Sequence, residues 1–204
     1  MRNLSPRYAA AVVAIDQANA DDPNLVEVRG QRVALALVHG QLAAQWIEHL
    51  VEAPDESLLL AARAHHLRRW ELRRDSYPLG RAGYLRWRRD QKARHAYDVA
   101  AILASCGYGP AEIQRVQQLI RRESVDGSQA MEDAACLVFI ETQLADFAAR
   151  TDHDLTISVI RKSARKMSAD GLKLVGEMPL GETEKNLLGE ALEAGRSPDQ
   201  ATRE

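Results

Sequence analysis

Ala61-Ala62-Arg63-Ala64-His65-His66-Leu67-Arg68-Arg69-Trp70 sets two adjacent histidines at the end of an apolar helical run, directly before dense arginine. The run opens at Pro54-Asp55-Glu56, where a proline and acids suit the first turn of a helix, so the double histidine falls near the helix end. Working outward, the same 3.6-residue period recurs on both sides. A second helix over about Arg32 to Val51 carries Leu35, His39, Leu42 and Trp46 on one stripe, so His39 points inward. A further helix, about Tyr84 to Ser105, puts His95 in register with Val99, Ile102 and Cys106, and Gly107 closes it. Another runs from the polar turn at Val125 to Ser128 to about Ala149, with Asp133, Leu137, Ile140, Leu144 and Phe147 on its apolar face. Four helices thus aim ligand-type side chains at one interior.

The remaining segments fit an all-α chain of seven to eight helices. Ser5-Pro6 starts a helix to about Ala18; Asn19 to Gly30 reads as loop, with a short extended piece at Leu25 to Arg29; Arg73 to Gly83 is an arginine-rich loop. Gly109-Pro110 opens a helix ending near Glu123, a seventh runs from after Asp152 and Asp154 to near Gly171, and a short one covers Glu182 to Ala194. The expectation is one domain over 1–194, with a functional core at about 31–149 and a flexible polar tail at 195–204.

A hydrophobic content of 46% suits a buried core, and no stretch of some eighteen apolar residues suggests a membrane span. Cys106 and Cys136 lie in apolar helical patterns without paired spacing, so a disulfide framework is not expected and the compartment reads as reducing and cytoplasmic. The net charge of -2 conceals an asymmetry. Arg63 to Arg94 holds eleven Arg or Lys against Glu71, Asp75 and Asp90, a net of +8, leaving -10 for the rest. That favours one focused basic surface for a phosphate-like partner over general adhesion to nucleic acid.

A carboxylate on an apolar face needs a partner, so Asp133 calls for an ion pair with Arg68 or Arg69, hydrogen-bond donors or a metal ion. Single core histidines are ordinarily hydrogen-bonded structural residues, and His49 and His153 read as surface residues. Together, His39, His65, His66, His95 and Asp133 form a candidate set for one divalent transition metal, whether Mn, Fe, Ni, Co or Zn. Arg68, Arg69, Arg73, Arg74, Arg81, Arg86 and Arg88 are candidate phosphate clamps, with Tyr84 and Trp87 as surfaces for a nucleotide base. For any one arginine, a solvated face or a pair with the acidic remainder of the chain is the competing reading.

The order His39, His65-His66, His95-Ala96-Tyr97-Asp98-Val99, Gly107-Tyr108, Glu112-Ile113-Gln114-Arg115-Val116 and Glu132-Asp133-Ala134-Ala135-Cys136 resembles the HD-domain superfamily of metal-dependent phosphohydrolases. More closely, Leu67-Arg68-Arg69-Trp70, Tyr77-Pro78, Arg81-Ala82-Gly83-Tyr84-Leu85-Arg86-Trp87-Arg88, Glu132 to Phe139 and Lys166-Met167-Ser168 resemble the domain of unknown function family 4202 across nearly the whole chain. The HD resemblance implies His39, His66 and Asp133 as metal ligands, with His65, His95, Glu123 and Glu132 in support. It also implies a metal-activated water, with Glu132 or His95 moving its proton. Two departures stand out: His66 occupies the aspartate position of the naming doublet, and Glu123 stands where a further histidine is expected. A mononuclear or altered site follows.

The sequence therefore leads to a metal-dependent phosphohydrolase for a nucleotide or other phosphorylated small molecule. One alternative is a non-catalytic module binding a nucleotide, RNA or an acidic partner; another is an iron oxygenase on an HD-like fold. A homodimer through an apolar helix face is a further expectation.

Overall fold

The computed structural model describes residues 4–28, 30–123 and 125–193, so the tail expected at 195–204 and Arg29 of the extended piece lie outside the described residues. The chain is all-α apart from one hairpin. Helix α1, Pro6–Ala20, has proline in its first turn, and the Ser5 hydroxyl accepts the Tyr8 N–H. A two-stranded antiparallel ribbon follows, β1 (Leu25–Val28) and β2 (Gln31–Ala34), paired Leu25 to Ala34 and Val28 to Gln31. Pairing of β2 takes the residues expected to begin the second helix, which instead starts at Leu35 as α2 (Leu35–Leu50). Asp55 caps α3 (Glu56–Ala64) by accepting from Leu58 N at 2.7 Å, and His65 closes that helix.

Beyond α4 (Gly80–Ser105) and α5 (Pro110–Arg121), two expected long helices are each divided. One breaks at Gln143 into α6 (Ser128–Thr142) and α7 (Leu144–Arg150). The other ends as α8 (His153–Ala164), because Ser168 caps a separate α9 (Ala169–Glu177) by accepting from Gly171 N at 3.0 Å. Helix α10 is Glu182–Glu193, which brings the α-helices to ten among the described residues.

Side chains of α1 to α6 form the larger apolar cluster, and α6 to α10 a smaller one. Helix α6 serves both, sending Met131, Ala134 and Val138 to the first and Leu137 and Ile140 to the second. Trp46 and Leu50 of α2 pack against both clusters.

The decisive approach is between α2 and α3. A Cβ on Gly40 would lie 2.3 Å from the Arg63 carbonyl oxygen, so only glycine allows the two backbones to run this close. Arg63 is anchored in turn by Asp16 of α1, with Nε and Nη2 at 2.7 and 2.5 Å from its carboxylate. Gly40→Ala is expected to destabilise the fold by about 3 kcal/mol, as overpacking does; a urea midpoint equal to wild type would contradict this packing.

Candidate functional site

The close α2–α3 approach brings His39 to the end of α3. There the chain passes through His65, His66 and buried Leu67, then turns left-handed at Arg68 (φ 49). That turn is held by Asn19, buried at the end of α1, whose Oδ1 accepts the Arg68 N–H at 2.9 Å while its Nδ2 donates to the Ala36 carbonyl at 3.3 Å. Asp22 completes the joint by accepting the Ala36 N–H at 2.9 Å. Both residues lie in a stretch whose polarity reads as ordinary loop, so their bridging role has no signal in sequence.

His39, His65, His66 and His95 gather. The Nδ1 atoms of His39 and His66 are 2.9 Å apart, the His65 and His66 rings stack at 4.0 Å, and the His66 and His95 rings lie 6.2 Å apart. His65 Nδ1 donates to the Ala62 carbonyl at 2.8 Å and His95 Nδ1 to the Leu67 carbonyl at 2.7 Å. His95 Nε2 is buried without a hydrogen-bond partner. Burial pushes all four imidazoles down, His39 to about 4 and His95 to about 3, so the cluster is neutral at pH 7.

These rings form one end of a cavity of about 570 Å³. Tyr84, Arg88, Gln91, Lys92 and His95 lie at helical spacing along α4 and supply one wall. Gln91 donates to the Arg69 and Leu72 carbonyls, each at 2.9 Å, which pins the short 3-10 turn Arg69–Glu71 to α4. The opposite side comes from Glu132, Cys136, Lys162 and Lys166, with Arg122 reaching in from the end of α5. Arg122 sits at φ 63 and donates through its guanidinium to the Leu119 and Met131 carbonyls, both at 2.9 Å. A non-glycine residue held in that region costs about 1 kcal/mol or more.

Charge in the cavity is one-sided. Arg69, Arg88, Lys92, Arg122, Lys162 and Lys166 face a single carboxylate, Glu132, which pairs with Arg122 at 3.5 Å and Lys166 at 3.7 Å. Among the described residues no carboxylate pairs with Arg69, half-buried and stacked on Trp87 at 4.7 Å. Burial lowers the pKa of both Arg69 and Lys92. Burial pushes the Cys136 thiol up to about 11, which keeps it protonated at pH 7.

Several expected roles change. Asp133 stands apart from the histidines: its carboxylate accepts from Ser168 N (2.9 Å), Ser168 Oγ (2.6 Å) and Gln129 Nε2 (3.0 Å), and it pairs with neither Arg68 nor Arg69. Gly171 makes room for it, since a Cβ there would meet Asp133 Cγ at 2.8 Å. Asp133 therefore fastens α9 to α6. Arg68, Arg73, Arg74, Arg81 and Arg86 do not line the cavity. Arg73 pairs with Asp75, Arg74 donates to the Tyr77 carbonyl, and Arg86 lies 3.9 Å from Asp90. Trp87 is occupied by Arg69 and donates to the Leu72 carbonyl, leaving Tyr84 of the two expected base-stacking rings in the wall, where Phe139 also lies. Glu123 is exposed, 3.9 Å from Arg121.

The expected metal set fits by donor type but not by arrangement. Neutral imidazoles suit an ion such as zinc or iron, and carbonyl-anchored rings are typical of ligating histidines. Yet among the described residues no three His, Cys, Asp or Glu side chains are placed to hold one ion. His39 and His66 turn their facing nitrogens on each other, and Asp133 is committed elsewhere. Arg122, Lys92 and Gln91 were not singled out in the sequence; spacing along α4 relative to His95 is the only signal that would have marked Lys92 and Gln91.

The chain belongs to the family described as Domain of unknown function (DUF4202), whose model matches residues 9–188. No curated protein and no solved structure matches it. Among the described residues, no helix is long and apolar enough to cross a membrane.

Two outcomes follow from this geometry. The folded histidines resist protonation while unfolded ones accept it near 6.5, so stability is full above pH 6.5 and falls as pH drops towards about 3. Each of His39 and His95 contributes on the order of 3 kcal/mol to that loss; a melting temperature flat from pH 7 to 5 would contradict it. Asp133→Ala is expected to cost about 2–4 kcal/mol through its lost hydrogen bonds, while anion affinity in the cavity, measured by calorimetry, stays within twofold.

Proposed function

We propose that the chain is a hydrolase for a phosphorylated small molecule, bound in the histidine-ended cavity. The observation that carries this is the surplus of cations there, above all Arg69 without a carboxylate partner among the described residues. Buried cations are ordinarily paired, and guanidinium groups hold phosphate oxygens through charge-assisted hydrogen bonds. A cavity of about 570 Å³ lies within the usual small-molecule range and accommodates a nucleotide-sized ligand. Tyr84 offers a ring face for a base, and the histidine order resembling HD phosphohydrolases supports the same substrate class.

The chemistry assigned to the site uses this chain's own groups. Arg69, Arg88 and Arg122 neutralise the phosphate oxygens, and the neutral imidazoles beyond them hold lone pairs for proton transfer from water. No step is routed through a metal ion, because among the described residues the donor set is not arranged for one. The same finding favours the second reading, a phosphate-binding module without turnover. An RNA-docking face has less support, since Arg73, Arg86 and Arg89 spend charge on Asp75 and Asp90.

Titration calorimetry with inorganic phosphate and a nucleoside monophosphate is expected to show binding that Arg69→Ala weakens about ten- to hundredfold, the worth of a charged hydrogen bond. Phosphate release from a panel of phosphomonoesters by metal-free protein establishes the hydrolase; binding without release leaves the module. Affinity unchanged in Arg69→Ala and Arg122→Ala overturns both.

A further inference from the structure

The hydrogen bonds around His39 settle where its proton sits, and that in turn settles His66. Thr142 Oγ1 donates to the Val138 carbonyl at 2.7 Å, so its single proton is spent. Towards His39 Nε2, 3.1 Å away, the hydroxyl can only accept, which puts the His39 proton on Nε2. A neutral His39 then presents a bare Nδ1. The 2.9 Å contact with His66 Nδ1 requires a proton, which His66 must supply. Neutral His66 is thereby left with a bare Nε2, for which no partner exists among the described residues, on the one ring of the four that is only half-buried in the cavity lining.

We propose that Thr142, His39 and His66 form a relay in which Thr142 and His39 are positioning residues and His66 Nε2 is the general base acting on the attacking water. The inference rests on the hydrolytic reading for its catalytic half; its structural half stands on the hydrogen bonds alone. The other cavity groups do not compete for the role. His65 and His95 also carry bare Nε2 atoms, since their Nδ1 protons go to carbonyls, but His65 is buried under the stacked His66 ring and His95 Nε2 is fully buried. Glu132 is drawn to Arg122 and Lys166. In the step, a water O–H proton passes to His66 Nε2 as the water oxygen bonds to phosphorus. The ester P–O bond breaks on the far side of phosphorus, the leaving oxygen takes a proton from solvent water, and His66 Nε2 returns its proton to solvent, giving alcohol and inorganic phosphate with no net change on the protein. While His66 is a cation, the lone pair of His39 Nδ1 accepts its Nδ1–H, the orienting duty of the third member in triad-type sites.

The disagreement with a metal centre becomes testable here. Two imidazoles bound to one ion through the nitrogens now 2.9 Å apart would both carry bare Nδ1 atoms and Nε2 protons. Histidine-selective 15N labelling and long-range 1H–15N spectra at pH 7 read the tautomers directly. The relay predicts Nε2–H for His39 and Nδ1–H for His66. Thr142→Val is expected to abolish the single His39 tautomer and to lower kcat for phosphomonoester hydrolysis about tenfold with KM within twofold, and Thr142→Ser to restore both. Nε2–H on His66, with metal in elemental analysis, overturns the relay in favour of a metal centre. A wild-type spectrum already mixed at both rings overturns it outright. Relay tautomers in a protein that releases no phosphate retain Thr142 and His39 as positioning residues and remove the catalytic half together with the hydrolytic reading.

Discussion

The contact on which the site depends is backbone to backbone: Gly40 of α2 against the carbonyl of Arg63 in α3. With any side chain at position 40 the helices would stand further apart, and His39 would lose hydrogen-bond reach of His66. The arrangement is fastened twice more, by Asp16 gripping Arg63 and by Asn19 bridging Ala36 to Arg68. All three devices act on the same two helix segments. Helix α1, which contributes nothing to the cavity lining, is thus what keeps the end of α3 in place.

Helix α4 has the complementary task. Its C-terminal half is ordinary core, with Ala96, Val99 and Leu103 buried. Its N-terminal half is polar and mostly exposed, and leans on the rest of the protein through Gln91, Trp87 and Gly83. At Gly83 a Cβ would meet the Pro78 carbonyl oxygen at 1.9 Å, so the chain before the helix folds back along it. The outcome is a rigid rod with His95 at the buried end and Tyr84 at the open end, with Arg88 and Lys92 between. Charge is placed along the cavity by helix geometry, not by a loop.

Much of the fold was legible from helical period, caps and breakers, because those signals are local. The convergence of His39, His65, His66 and His95 was legible too, since each sits on an apolar stripe or at a helix end. For Asp133 the sequence left an arginine, hydrogen-bond donors and a metal ion open; the donors are what it meets, but sequence cannot say that they are the cap of α9, three helices on, and a glutamine one turn back. The arginines are a different case. Density along the chain suggested one clamp, whereas the helical turn at Arg86 to Arg89 and the 3-10 turns send neighbouring side chains in different directions, so only Arg69 and Arg88 of that run reach the cavity. Arg122 came from elsewhere, its left-handed backbone invisible in a helical pattern.

The electrostatics of the cavity set an order of events for the proposed chemistry. Burial and nearby guanidinium groups both hold the imidazoles neutral, Arg69 acting on His39, His66 and His95 alike. A neutral imidazole with so low an affinity for protons is a weak base. A bound phosphate changes both terms: its charge cancels that of the arginines, and its own oxygens favour a cation nearby. Basicity at His66 would then rise only once the anion is in place. Under the proposed chemistry such a site would keep its base idle in the free protein and activate it through the substrate's own charge, which would tie the cationic wall and the histidine end into a single device.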